Sequence, residues 1–238
     1  MARAKLFGVT AMVAVMAGGA ASAETVLNFE NIAKTYPFAN NTIQILNYYN
    51  GGAASNGSVG PSDGVVFSSN ALVLCLNSQT VTCSNTSRGG LAPGSAKGAL
   101  FFLSGTSTTM DVAAGFSTGF SFNYSEPNTH GGNVQVWSGL DGTGTLLQTI
   151  NLGLTPSGAC PGYPGAYCPF VPIGVTFAGV AKSVSFGGVA NYVVFDDVTF
   201  GESHPGVPEP DTWALMLAGL AGAGGALRAR RAMKAVEA

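Results

Sequence analysis

Charge is scarce in this chain: Asp, Glu, Lys and Arg make up 9% of 238 residues, where roughly a quarter is ordinary for a soluble domain. Its surface must therefore be built from Ser, Thr, Asn and Gly, and glycine alone occurs 34 times. Histidine is almost missing, present only as His130 and His204, which leaves little imidazole for acid-base work or zinc ligation. There is no Gly-x-Ser-x-Gly elbow, no His-Glu-x-x-His pair and no phosphate-cradling glycine loop. Basic residues are few in the body of the chain. Between Glu24 and Glu202 four of them stand against nine acidic residues, a net charge of −5, which argues against nucleic acid as a partner.

The two ends hold most of what basic charge there is. Residues 1–23 open with Arg3 and Lys5, continue through an apolar run from Leu6 to Ala17 and end in Ala21-Ser22-Ala23. That order predicts a secretory signal helix cleaved after Ala23, its apolar run being too short to span a bilayer. Near the other end Val207-Pro208-Glu209-Pro210 precedes Trp213, an apolar run from Ala214 to Leu227 and the cluster Arg228, Arg230 and Arg231. An interfacial Trp before such a run and arginines after it predict a transmembrane helix over about 212–227 with its basic end, 228–234, on the cytoplasmic side.

Pro-Glu-Pro, a Trp-Ala-Leu-Met-Leu-Ala-Gly-Leu run and an Arg cluster together resemble the PEP-CTERM sorting tail, also catalogued as the ice-binding-protein C-terminal motif. The resemblance covers Val207 to about Ala232. It implies export to the envelope, cell surface or extracellular matrix of a Gram-negative bacterium. It also implies passing attachment to the inner membrane and processing by an exosortase, a membrane enzyme that would read Pro208, Glu209 and Pro210. A plain anchor without processing is the competing reading of the same apolar run. The chain thus divides into a signal over 1–23, a body over 24–202 and a linker with sorting tail over 203–238.

Within the body, short runs rich in Val, Phe, Thr and Tyr are broken by Gly, Asn, Ser and Pro every eight to twelve residues or so. Strands are expected over 25–32, 41–49, 64–67, 71–76, 80–84, 98–103, 107–112, 115–124, 133–138, 145–152, 171–177, 180–186 and 191–200. No stretch has a helical period. The fold class is all-β: an antiparallel, jelly-roll-like β-sandwich. Alternation in Phe120-Ser121-Phe122-Asn123-Tyr124 and Val134-Gln135-Val136-Trp137 predicts one buried and one wet face. In texture this body resembles the jelly-roll domains of PEP-CTERM proteins and carbohydrate-binding modules.

Four cysteines fall as Cys75 with Cys83 and Cys160 with Cys168, each pair eight positions apart. Three connectivities are open to four cysteines, and the equal local spacing in an exported chain favours 75–83 and 160–168.

Few residues offer chemistry. Asp196 and Asp197 sit inside a strand-like run, where two carboxylates need compensation. Should the first and last strands be neighbours, Glu30 would approach them, and an oxygen cluster of that kind suits structural calcium. The alternative is an edge strand blunted by exposed charge. Tyr48, Tyr49, Tyr124, Trp137 and the loop from Tyr163 to Tyr167 are the aromatic candidates for stacking on a sugar. The expectation is a non-catalytic, structural or adhesive exported protein that binds extracellular polysaccharide. An envelope glycosidase is the alternative, drawing its two carboxylates from Glu30, Asp63, Asp111, Glu126, Asp141, Asp196 and Asp197.

Overall fold

The computed structural model describes residues 24–38, 42–85, 95–127, 131–158 and 167–201. The signal, the sorting tail, Cys160, Tyr163, His130 and His204 lie outside them. All regular structure among the described residues is β. Ten strands follow in chain order: β1 (Thr25–Leu27), β2 (Ile43–Gln44), β3 (Val65–Phe67), β4 (Leu72–Cys75), β5 (Gly98–Phe101), β6 (Ser107–Ser125), β7 (Gly132–Trp137), β8 (Leu146–Leu152), β9 (Val171–Gly187) and β10 (Val194–Phe200). Their hydrogen-bonded order is β2-β4-β5-β10-β6-β9-β7-β8, with β1 added to β10 and β3 to β6. Every pairing is antiparallel, and the described residues have the all-β, antiparallel fold class expected from the sequence.

Alternation puts the core where it is. Thr108, Met110 and Val112 of β6, Val134 and Val136 of β7 and Val184 and Phe186 of β9 all turn inward. All but Thr108 join Phe120, Phe122, Phe195 and Phe200 in one cluster, in which the Phe186 and Phe195 rings meet at 5.0 Å. Each such ring contributes about 1.5–3 kcal/mol by leaving water. A smaller cluster of Leu72, Leu74, Leu76, Phe101 and Phe170 covers the other face of β4 and β5, which is why those strands read as continuous apolar runs rather than alternating ones.

Three expectations need correction. The strands foreseen over 107–112 and 115–124 are one, as are those over 171–177 and 180–186. Gly115 carries a register shift there at φ 78°, and a Cβ on it would meet Val180 at 2.5 Å, so the glycine marks a bulge rather than a break. No strand forms over 80–84. The backbone N–H groups of Thr80 and Val81 go to Ser78 Oγ, and that of Cys83 goes to Asn77 Oδ1, side chains that outcompete a ladder. Finally, 41–49 shrinks to Ile43–Gln44, because Leu46 takes φ 50° and the Asn47 carbonyl accepts from Asn50 and Gly52.

Cys75 and Cys83 are joined, with Cα atoms 5.8 Å apart. Cys168 is disulfide-bonded as well.

Candidate functional site

Two polar regions stand out. The first is a buried seam. Because β1 pairs with β10 in the register Thr25↔Phe200, the chain leaving β1 runs past the start of β5. Phe29 turns it at φ 56°, and Gly98 leaves room for the Phe29 carbonyl, on which a Cβ would collide. Glu30 is thereby placed with Oε1 accepting from the backbone N–H of Lys97 at 2.7 Å and of Gly98 at 3.0 Å. Ser95 Oγ lies 3.3 Å from both carboxylate oxygens of Asp196 and 2.5 Å from Asp197 Oδ1. The Asn123 amide donates to Asp197 Oδ2 at 2.9 Å.

The sequence thus brought Glu30, Asp196 and Asp197 toward one place. It also missed Ser95 and Asn123, which only the pairings of β10 with β5 and with β6 reveal. Asp196 is fully buried. Its pKa is pushed well up by loss of solvent first, then by the charges of Asp197 and Glu30. Burial also raises Glu30, against the pull of the Gly98 and Lys97 N–H groups. Asp197 itself sits at φ 48° in a register shift between Asp196 and Thr199. The edge-strand alternative is therefore corrected: β10 is flanked by β6 on one side and by β1 and β5 on the other. Among the described residues, no three His, Cys, Asp or Glu stand close enough to hold a metal between them.

The second region is an open groove of about 470 Å³ on the outward face of β6, β9 and β7. Register explains it. Thr109 of β6 faces Ser185 of β9, which faces Gln135 of β7. One rung on, Ser107 faces Gly187, and in the other direction Asp111 and Trp137 flank Ser183. The central strand carries only small side chains and its neighbours larger ones, so the face forms a trough along β9. One end is closed by the loop after β7, whose Gly142 N–H donates to Ser183 Oγ at 3.0 Å and whose Asp141 N–H donates to Asp111 Oδ1 at 2.8 Å. Ser183 Oγ in turn donates to the Gly139 carbonyl at 2.6 Å. Burial raises the Asp111 pKa against the pull of the Asp141 N–H, and the charge of the Asp141 carboxyl raises it further.

Trp137 is half-buried at the closed end of the trough. The other aromatic candidates fare differently. Tyr48, Tyr49 and Tyr124 are buried in the core, the Tyr49 hydroxyl accepting from the Phe29 N–H at 2.8 Å. Tyr167 packs against the smaller cluster. Of the carboxylates, Asp111 and Asp141 lie at the groove, Glu30, Asp196 and Asp197 in the seam, and Glu126 is buried.

The end of the chain decides its destination. Residues 206–231 match the PEP-CTERM protein-sorting motif. The protein carries a PEP-CTERM tail. That tail marks an exported protein sorted to the envelope or surface by an exosortase, and Pro208, Glu209, Pro210 and Trp213 fall within it. No curated protein is significantly similar to the PEP-CTERM chain. Among solved structures, the catalytic domain of a GH87 α-1,3-glucanase in complex with nigerose matches at 15% identity and a TM-score of 0.34, over 60% of this chain and 28% of that one. A glycoside hydrolase family 43 arabinoxylan arabinofuranohydrolase from Bacillus subtilis, in complex with cellotetraose, matches at 17% identity and a TM-score of 0.35, over 61% and 31%. The chain spans under a third of the length of these structures, and at such values the likeness says nothing about activity.

Proposed function

We propose that this is a non-catalytic surface or matrix protein of a Gram-negative envelope, adhesive in role, that binds extracellular polysaccharide through the groove on β6, β9 and β7. The observation that carries the reading is the groove itself. An outward sheet face lined by hydroxyl and amide side chains, with one half-buried Trp at its end, offers what sugar recognition needs: hydrogen-bonding groups beside an apolar plate.

The glycosidase reading is supported by Asp111 and Asp141, two carboxylates at a groove. Their geometry weighs against it. Asp111 already accepts from the Asp141 N–H and the two carboxyl groups stand close enough to act on each other's charge, whereas cleavage of a glycosidic bond needs them roughly 5–9 Å apart with the sugar between them. The seam carboxylates are bonded to Ser95, Asn123 and backbone N–H groups, and with Glu30 and Asp196 buried only Asp197 is left partly open to a polysaccharide. On this reading the seam serves structure. Its oxygen donors are of the kind calcium prefers, and because no three of its carboxylates stand close enough to share one ion, a calcium ion there would draw on two of them at most and offset part of their charge.

A glycan array combined with a hydrolysis assay on neutral and acidic polysaccharides tests the reading. Retention without turnover is expected; turnover abolished by Asp141→Asn would establish the enzyme instead. Replacing Pro208, Glu209 and Pro210 by alanine should leave export intact and cause a longer, membrane-bound form to accumulate on a gel. Processing and release as in the original would reduce the tail to an ordinary anchor.

A further inference from the structure

The groove also has a sign and a direction. Among the described residues no lysine or arginine lines it, while Asp141 does and Asp111 stands at its closed end. The body as a whole is acidic, at −5 between Glu24 and Glu202. An anionic chain entering the trough would find no cation to pair with and a carboxylate ahead of it.

Direction comes from relief. Ser185, Gly187 and Gly188 form a floor along the end of β9, with Thr109 on one wall and Gln135 on the other. Four residues of strand make that floor about 13 Å long, and the neighbouring strands stand about 5 Å to either side. At its end the Trp137 nitrogen is covered and without a hydrogen-bond partner, a Cβ on Gly142 lying 3.8 Å from it. The part of the indole left open is therefore carbon surface, suited to an axial C–H face of a sugar rather than to a polar group. The loop that positions it is held to the sheet by the Asp141 and Gly142 bonds, so little ordering is needed on binding.

Building on the glycan-binding reading, we propose that the trough takes an uncharged oligosaccharide laid along β9, one ring against Trp137 and the next between Thr109 and Gln135. Acidic glycans are rejected by Asp141.

The test uses the full chain in detergent with Trp213→Phe, which leaves Trp137 as the only tryptophan. The probes are cellohexaose, xylohexaose and mannohexaose as neutral chains and an oligogalacturonate hexamer as the acidic one, with binding followed by calorimetry and Trp137 emission. At least one neutral hexasaccharide should bind and change the emission, with at least tenfold preference over the oligogalacturonate. Gln135→Ala and Thr109→Tyr should each weaken binding at least tenfold at unchanged melting temperature, and Asp141→Asn should narrow the gap between neutral and acidic probes. Tighter binding of oligogalacturonate, or neutral binding indifferent to both wall variants, overturns the assignment while leaving glycan binding intact. If the glycan array and all four probes show no binding, the functional reading itself falls.

Discussion

The seam and the trough are made of the same kinds of residue, Asp, Ser and Asn or Gln, yet one is closed and the other open. In the seam every donor is already spent on a neighbour: Lys97 and Gly98 N–H on Glu30, Ser95 on both aspartates, Asn123 on Asp197. In the trough the outward side chains of Thr109, Gln135 and Asn133 face solvent. What separates a structural polar site from a recognition site here is therefore whether the surrounding strands have consumed its hydrogen-bonding capacity, not its composition.

Substitutions can break that contrast. The largest effect is expected from Glu30→Ala, which strands the buried Gly98 N–H and the part-buried Lys97 N–H and should cost about 2–3 kcal/mol in urea unfolding. Glu30→Gln keeps an acceptor oxygen and should cost far less. Removing the link between strand β4 and its following loop with Cys75→Ser and Cys83→Ser should cost up to about 2.5 kcal/mol, the chain-entropy value for a loop of this size. Asn77 and Ser78 already hold that loop, so the measured loss should fall short of it.

Acidity and calcium probe the seam next. Folding raises the pKa of Asp196 and Glu30, so the folded state holds those protons more tightly. Stability from them is complete below the ordinary carboxylate range and is lost as pH rises through the raised values. In chelator the melting temperature should fall as pH climbs from about 4 toward neutrality, and Asp196→Asn should flatten the slope. Added calcium should restore part of the loss near neutral pH; a melting temperature indifferent to calcium at every pH would remove the ion from the proposal. The smallest effect belongs to the trough, where Gln135→Ala should change stability by less than about 0.5 kcal/mol.

How much of this was written in the sequence follows the same division. Alternation in β6 and β7 identified the inward and outward faces, and the spacing of Cys75 and Cys83 gave their pairing. Asp196 beside Asp197 in a strand-like run pointed to the seam, since buried charge demands partners wherever it falls. Ser95 stayed invisible, because its place depends on β5 lying beside β10, a contact between residues a hundred positions apart. The trough was equally hidden. Trp137 could be singled out, but Ser185 and Thr109 acquire meaning only when register sets them in a row with Gln135. Tyr48 and Tyr49 misled for a converse reason: next to Asn and Gly they look exposed, yet turns fold them inward.

The pairing of β1 with β10 also has a mechanical side. Thr25 and Phe200 lie opposite each other, and Thr118 Oγ1 holds the Gly201 carbonyl at 3.1 Å, so both ends of the described body emerge at one spot. Tension from anything tethered beyond Gly201 enters β10 along its axis. There β6 and β1 clasp it from both sides, loading their hydrogen bonds together in shear rather than peeling them singly. A cargo gripped at Thr109 sits nine residues up β6 from that clasp, roughly 30 Å of strand contour. The line of force between tether and cargo then runs from β10 into β6, the longest strand among the described residues.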